Sequence, residues 1–139
     1  MDAVKVVLGD GAYMPVRGHG ADAGLDLRVP YTISIAPGDS ALVDTGVHMM
    51  IPVGYCGLLV SKSGLYTLKA CTTTGLIDAN FTGTIMVRIV NHGENEVLLK
   101  KGDKITQVVF LKCETPKLEL DVVQKAGLRG DNGYGSTGR

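Results

Sequence analysis

Between Thr45 and Gly93 the 139-residue chain carries a single carboxylate, Asp78, set behind Gly75-Leu76-Ile77 in otherwise apolar surroundings. A lone acid there has two uses. It can make an Asx turn to nearby amides, or it can orient and deprotonate a water. Lys62 stands between Ser61 and Ser63, ahead of Gly64, so hydroxyls, amides and an ammonium can converge on an anion. The same four residues also make an ordinary exposed turn. A Ser-x-x-Lys nucleophile is absent, because Ser61 and Lys62 are adjacent and no lysine follows Ser63 by three. At the C-terminus, Arg129 to Arg139 offers a fixed cation at each end, one ring in Tyr134, and hydroxyls at Ser136 and Thr137, on a glycine-rich backbone. That set suits a nucleoside triphosphate as well as a plain disordered terminus. A Walker loop is excluded, since no Gly-Lys-Ser/Thr follows, and nothing suggests the secretion that an Arg-Gly-Asp adhesion motif needs. His19, His48 and His92 have no metal-ligand spacing with one another or with the cysteines, so no protein-built metal cage is expected.

These groups must be held by strands. Tyr31, Ile33 and Ile35 alternate with polar residues until Pro37-Gly38. Similar β-rich runs are Ala41–Met50, Tyr55–Val60, Thr84–Val90, Glu96–Leu99, Ile105–Leu111 and Leu118–Val123, parted by Pro52-Val53-Gly54, His92-Gly93, Gly102-Asp103 and Pro116. Short strands at that spacing predict an all-β, jelly-roll-like domain. Gly64–Ala70 is the one helical segment, barely two turns long. Thr84–Val90 is apolar on both faces except at Arg88, as a strand covered on both sides would be, and a neighbouring subunit is one candidate cover. The Lys100–Lys104 cluster reads as a solvated hairpin end. Beyond Leu128 there is no aliphatic side chain, so the reading divides the chain into a β domain over residues 1–126 and a mobile glycine-rich tail over 127–139 that closes on a ligand.

Composition narrows the classes. Fourteen basic and fourteen acidic side chains cancel, which removes the bulk attraction a nucleic-acid binder usually needs. Apolar runs are too short to cross a bilayer, so no direct nucleic-acid or membrane binding is expected. Three cysteines without CxxC spacing, and no signal-peptide pattern, read as reduced core thiols in a cytoplasmic protein, or one in host cytoplasm if viral. The sequon at Asn80 is then coincidental.

Five segments in fixed order resemble the motifs of the trimeric deoxyuridine triphosphate nucleotidohydrolases, the dUTPases, over nearly the whole chain. They are Ala23–Leu27, Ser61–Leu65, Gly75–Asp78 with Phe81 and Gly83, Gly102–Gln107, and Arg129–Gly138. The resemblance implies a jelly-roll-like dUTPase fold in a homotrimer with active sites shared between subunits, hydrolysing dUTP to dUMP and pyrophosphate with Mg²⁺. This activity would limit uracil in DNA and supply dUMP for dTMP synthesis. It further implies that Asp78 contacts the sugar 3'-hydroxyl and activates the attacking water, that Gly75 reads uracil, and that Phe81 packs on the deoxyribose. Lys62, Ser63, Gly64 and Gln107 would line the phosphates, with Asp26 touching the metal through water. Arg129, Gly135, Ser136 and Thr137 would close on the γ-phosphate, and Tyr134 would stack on uracil. Departures from the usual pattern are Leu25, Phe81 and Tyr134 among the rings, Asn80 for an aspartate, and Lys62 for an arginine; a point charge does not reproduce bidentate guanidinium contacts. A deaminase of this fold group would need a further carboxylate beside Asp78. A non-catalytic nucleotide-binding homologue would need neither Asp78 nor a complete tail, and the same holds for a structural jelly roll.

Overall fold

The computed structural model describes Met1, residues 3–122 and Gly133. Among the described residues the strands are β1 (Lys5–Leu8), β2 (Leu25–Arg28), β3 (Ile33–Ile35), β4 (Ser40–Asp44), β5 (Val47–Met50), β6 (Tyr55–Val60), β7 (Cys71–Thr72), β8 (Thr74–Ile77), β9 (Met86–Asn91), β10 (Val97–Leu99) and β11 (Lys104–Lys112). One helix, α1 (Ser63–Lys69), links β6 to β7. Every pairing is antiparallel, in four small sheets ordered β1-β5, β10-β3, β2-β11-β6-β8 and β4-β9-β7.

All four sheets feed one aliphatic core. Leu27, Ile35, Val43, Met49, Leu59, Ile89, Leu99, Ile105 and Val108 are buried in a single cluster. With few aromatics, branched side chains fill the space between sheets, and their β-preference makes core packing and strand formation the same choice. Helix α1 is held by Leu65 alone and stops where Ala70 takes a left-handed conformation, φ 51°. Its exposed Tyr66 and Leu68 show that it adds little to the core.

Three sequence expectations need correction. The run Ala41–Met50 is two strands, because Gly46 adopts φ 68° and Thr45 turns inward to donate its hydroxyl to the Ile85 carbonyl at 2.7 Å. The strand expected from Thr84 starts at Met86 and is buried on one face only, through Val87, Ile89 and Asn91; Met86 and Arg88 are exposed. Leu118–Val122 forms no strand, and its alternating Leu118, Leu120 and Val122 are 89%, 105% and 76% exposed. A period-2 pattern states what a strand would bury, and a strand still needs a ladder partner. Of the thiols, only Cys71 is a core residue; Cys56 and Cys113 are half-buried, and all three are free.

Candidate active site

The central strand β11 carries the register that assembles the site. Gln107 lies opposite Asp26 on one side and Val60 on the other. Residues some eighty positions apart in sequence thus share one corner, where the first half of β11 runs between β2 and the end of β6. Asp26 is 4% exposed, with Oδ1 2.6 Å from Lys62 Nζ and Oδ2 3.1 Å from Lys104 Nζ. Burial alone would raise this carboxyl, but hydrogen bonds and charge from Lys62 and Lys104 outweigh it and hold Asp26 below its ordinary value. The acid therefore stays ionised and fixes two ammonium groups, leaving the triad with a net positive charge. Gln107 Nε2 donates to the Ser61 carbonyl at 3.2 Å. A Cβ on Gly24 would come within 2.3 Å of Gln107 Oε1 and 3.0 Å of its Cβ, so only glycine lets the amide lie there. Arg17 Nη1 donates to the Asp22 and Ala23 carbonyls at 2.6 and 3.0 Å and pins the approach to β2.

This corner opens into a cleft of about 440 Å³ lined by Asp22, Gly24, Asp26, Lys62, Lys104 and Gln107. A neighbouring cleft of about 510 Å³ shares Lys62 and Lys104 and adds Arg28 and Lys69. Across the two clefts four cations, Arg28, Lys62, Lys69 and Lys104, outnumber three carboxylates, Asp22, Asp26 and Asp103, a balance that can attract an anion locally. Ser63 and Gly64 stand exposed at the start of α1, one and two residues past Lys62. Lys104 and Arg17 were not expected from the sequence. The lysine cluster reads as a solvated turn until the register places Lys104 opposite Arg28, beside Asp26.

Asp78 lies elsewhere. It follows β8 directly and is exposed, and no side-chain hydrogen bond or ion pair among the described residues involves its carboxylate. The turn it opens closes from Phe81 N–H to the Asp78 carbonyl at 3.3 Å, with Asn80 at φ 63° and its N–H bonded to the Ile51 carbonyl at 3.1 Å. Phe81 is 44% exposed. A Cβ on Gly83 would fall 2.6 Å from Phe81 Cζ, so the ring lies directly over that glycine. The segment leading to β9 is tied by His48 Nδ1, donating to the Thr82 carbonyl at 2.9 Å, and by Thr84 Oγ1, donating to Asp44 Oδ1 at 2.6 Å. Gly75 sits half-buried in β8 opposite Leu59. The nearby Cys113 thiol is pushed up to about 11 by its hydrogen bond to Cys56, by burial, and by the Cys56 and Asp78 charges, so it is no nucleophile beside Asp78.

Among the described residues the fold thus joins Asp26, Lys62, Gly64 and Gln107, with Ser63 adjacent, and separately joins Asp78 and Phe81; Gly75, opposite Leu59 in β8, lies between the two groups. Ile77, the residue before Asp78, pairs with Gly57; continued by one residue, that register sets Asp78 five residues along β6 from Ser61, or roughly 17 Å at strand rise. Arg129, Tyr134, Gly135, Ser136 and Thr137 lie outside the described residues. No group of three His, Cys, Asp or Glu side chains among the described residues makes a metal-sized cluster, and no described helix is long and apolar enough to cross a membrane.

A family model described as dUTPase matches residues 10–138. The deoxyuridine 5'-triphosphate nucleotidohydrolase of Mycolicibacterium gilvum is 39% identical over 134 residues, 90% of this chain and 87% of the relative. That of Corynebacterium glutamicum is 37% identical over 142 residues, covering 99% and 95%. Among solved structures, the dUTPase of Staphylococcus bacteriophage 80alpha with dUPNHPP superposes with a TM-score of 0.90 at 29% identity, covering 100% of both chains. A dUTPase mutant from phage phi11 of S. aureus, whose structure describes coordination of a structural Mg(II) ion, does so at 0.80 and 28%, covering 86% of this chain and 97% of that one.

Proposed function

The chain belongs to the dUTPase family, and from that membership we infer that it hydrolyses dUTP to dUMP and pyrophosphate, using the Asp26–Lys62–Lys104–Gln107 corner of one copy against the Asp78 turn of another. The observation that carries this reading is the separation itself. A cationic, phosphate-suited corner and an exposed carboxylate with no side-chain partner among the described residues are both built into the fold, yet they lie roughly 17 Å apart along one β6–β8 pair. Both halves fit one reaction if copies of the chain meet. A homotrimer with three shared sites supplies that contact, and the exposed Leu76, Leu118, Leu120 and Val122 offer apolar surface for it to cover.

In the shared site the triphosphate lies along Lys62, Ser63, Gly64 and Gln107. Lys62 acts as an aimed point charge, because Asp26 holds its ammonium. Gly75 backbone meets the uracil edge, and Phe81 packs on the deoxyribose. Asp78 takes a proton from a water whose oxygen attacks the α-phosphorus; the bond from that phosphorus to the β-phosphate bridging oxygen breaks, and pyrophosphate leaves. Arg129, Gly135, Ser136, Thr137 and Tyr134 close over the γ-phosphate and the base. Substrate phosphates, not a protein cage, suit magnesium here, for both Asp26 oxygens already hold ammonium groups and can reach an ion only through water. When bound, magnesium offsets phosphate charge and eases departure of pyrophosphate. The proposed location is the cytoplasm, in keeping with three free thiols.

The test is pyrophosphate release from dUTP, dTTP, dCTP and UTP, with magnesium and with a chelator, alongside sedimentation of the intact protein. The reading expects dUTP alone to turn over well, magnesium to be required, and a trimer to be present at micromolar concentration. A stable, active monomer would overturn the shared site.

A further inference from the structure

Behind the phosphate corner runs a chain of buried hydroxyls that none of the proposed substrate contacts uses. Thr106 is fully buried and Thr73 nearly so. Thr106 Oγ1 donates to the Val60 carbonyl at 2.9 Å, which spends its only proton. The 2.7 Å contact between the Thr73 and Thr106 hydroxyls must then run from Thr73 to Thr106. Ser61 completes the network, since its Oγ accepts from Thr73 N–H at 2.9 Å and donates to the Thr73 carbonyl at 3.1 Å.

This network sits where β6 leaves the sheet and the segment Ser61–Ser63 begins. Three consecutive carbonyls there are taken. Val60 is held by Thr106, Ser61 by Gln107 Nε2, and Lys62 by the Tyr66 N–H in the first turn of α1. With all three peptide planes fixed, the direction in which Lys62 and Ser63 leave the sheet is fixed too. None of this needs Thr106 or Thr73 to face the cleft, whose lining includes neither.

We propose that Thr73 and Thr106 are positioning residues for the phosphate-binding segment Ser61–Ser63, acting through the Val60 and Ser61 backbone without touching the nucleotide. The proposal rests on the dUTP reading for the identity of the phosphate segment. Its physical basis is that a phosphate site tolerates little displacement. A misplacement of about 1 Å can cost on the order of a hundredfold, and Thr106→Val removes the hydroxyl donor of the Val60 carbonyl and the acceptor of the Thr73 hydroxyl in a buried place.

The experiment compares wild type, Thr106→Val, Thr106→Ser and Thr73→Val by calorimetric titration with two separate probes, pyrophosphate with magnesium and deoxyuridine, and by steady-state dUTP turnover. Thr106→Val should weaken pyrophosphate binding at least about fivefold and lower dUTP kcat/KM by about tenfold, while deoxyuridine affinity stays within roughly twofold. Thr106→Ser, which keeps the hydroxyl, should restore pyrophosphate affinity. Unchanged pyrophosphate affinity in folded Thr106→Val, equal loss for both probes, or no rescue by serine would overturn the proposal. If Thr106→Val does not fold, Thr73→Val is judged by the same ratio of the two affinities. Wild-type protein that binds pyrophosphate but fails to turn over dUTP would sink the functional reading and leave the positioning test intact, because binding is measured without catalysis.

Discussion

Around Asp26 charge is buried and paired from two sides; around Asp78 it stands exposed at the head of a turn, with no side-chain partner among the described residues. The two regions lie toward opposite ends of the same β6–β8 ladder and are built by opposite means. The corner draws on β2, β6 and β11, so its order is part of the energy that folds one chain. The turn is held mainly through its backbone, by Asn80 on Ile51 and His48 on Thr82, and its functional side chains are left projecting. A phosphate receptor can be made rigid within one chain at a net gain. On the proposed shared site, a water-activating carboxylate must stay free of internal partners, and another copy would bring it to its substrate. Mutations in the two regions should therefore fail differently, with stability and affinity falling together at the corner, and turnover or selectivity falling alone at the turn.

The largest effect is expected at the turn. Asp78→Asn should leave the fold intact and cut turnover at least about a hundredfold, or about 2.7 kcal/mol of barrier. The check is pyrophosphate release together with a thermal melt, and near-wild-type turnover would remove Asp78 from the mechanism. A sharper version co-expresses Asp78→Asn chains with Lys62→Met chains, each inactive alone. If sites form between copies, random trimers should regain about a quarter of wild-type turnover, because a site then needs one intact residue from each of two chains. No recovery would place both residues in one chain's site.

At the corner, Asp26→Asn should destabilise the protein by about 1–3 kcal/mol, below the figure for a fully buried pair because Lys62 and Lys104 are 25% and 42% exposed. The sign with pH follows from the lowered folded value. Asp26 contributes its stability above the unfolded value near 3.8, and that contribution is lost as pH falls through the lower folded value. Urea unfolding at pH 7, 5 and 3 should show a constant gap between variant and wild type at the first two and a smaller gap at the third. A gap that does not shrink in acid would mean that Asp26 acts by shape and not by charge.

The contrast also explains what could be read from the chain. Tyr55–Val60 was legible as a strand because its short run, free of charged residues, is bounded by Pro52-Val53-Gly54 and by Ser61. Strand β2 was not, because Leu25-Asp26-Leu27-Arg28 alternates over only four residues, and the two lysines that make the burial of Asp26 tolerable come from distant segments. The break at Thr45-Gly46 was hidden because apolar residues continue on both sides, and only the backbone turn and the Thr45 bond to Ile85 separate β4 from β5. Individual site residues stood out by type and order. Their division into two groups did not, since it depends on cross-strand register, which the hydrophobic period alone does not specify.

Phe81→Ala tests the turn for sugar selection. If the ring denies space to a 2'-hydroxyl, removing it should lower the dUTP/UTP ratio of kcat/KM by about five- to a hundred-and-fifty-fold, matching roughly 1–3 kcal/mol for a hydroxyl forced against an apolar face. Phe81→Tyr should change the ratio little. An alanine variant that discriminates like the parent would place sugar selection elsewhere.

The smallest expected effect separates the regions most finely, because each contains a glycine that makes room for one functional side chain. A Cβ at Gly24 would meet Gln107 not only at Oε1 but at Cβ, 3.0 Å away, where the side chain cannot swing clear without moving β11. At Gly83 the added carbon meets only the far edge of the Phe81 ring, Cζ at 2.6 Å and Cε2 at 3.0 Å, and that ring is 44% exposed and free to rotate outward. Gly24→Ala should therefore lower stability by about 1–3 kcal/mol and weaken phosphate binding with it. Gly83→Ala should cost no more than about 1 kcal/mol, and its mark should be a dUTP/UTP ratio shifted part of the way toward that of Phe81→Ala. In Phe81→Ala protein the same glycine substitution should have no further effect on the ratio, since no ring remains to displace. Full additivity of the two changes would show that Gly83 acts on the turn's backbone and not through the ring, and the turn would then be preorganised by a different contact from the one its geometry suggests.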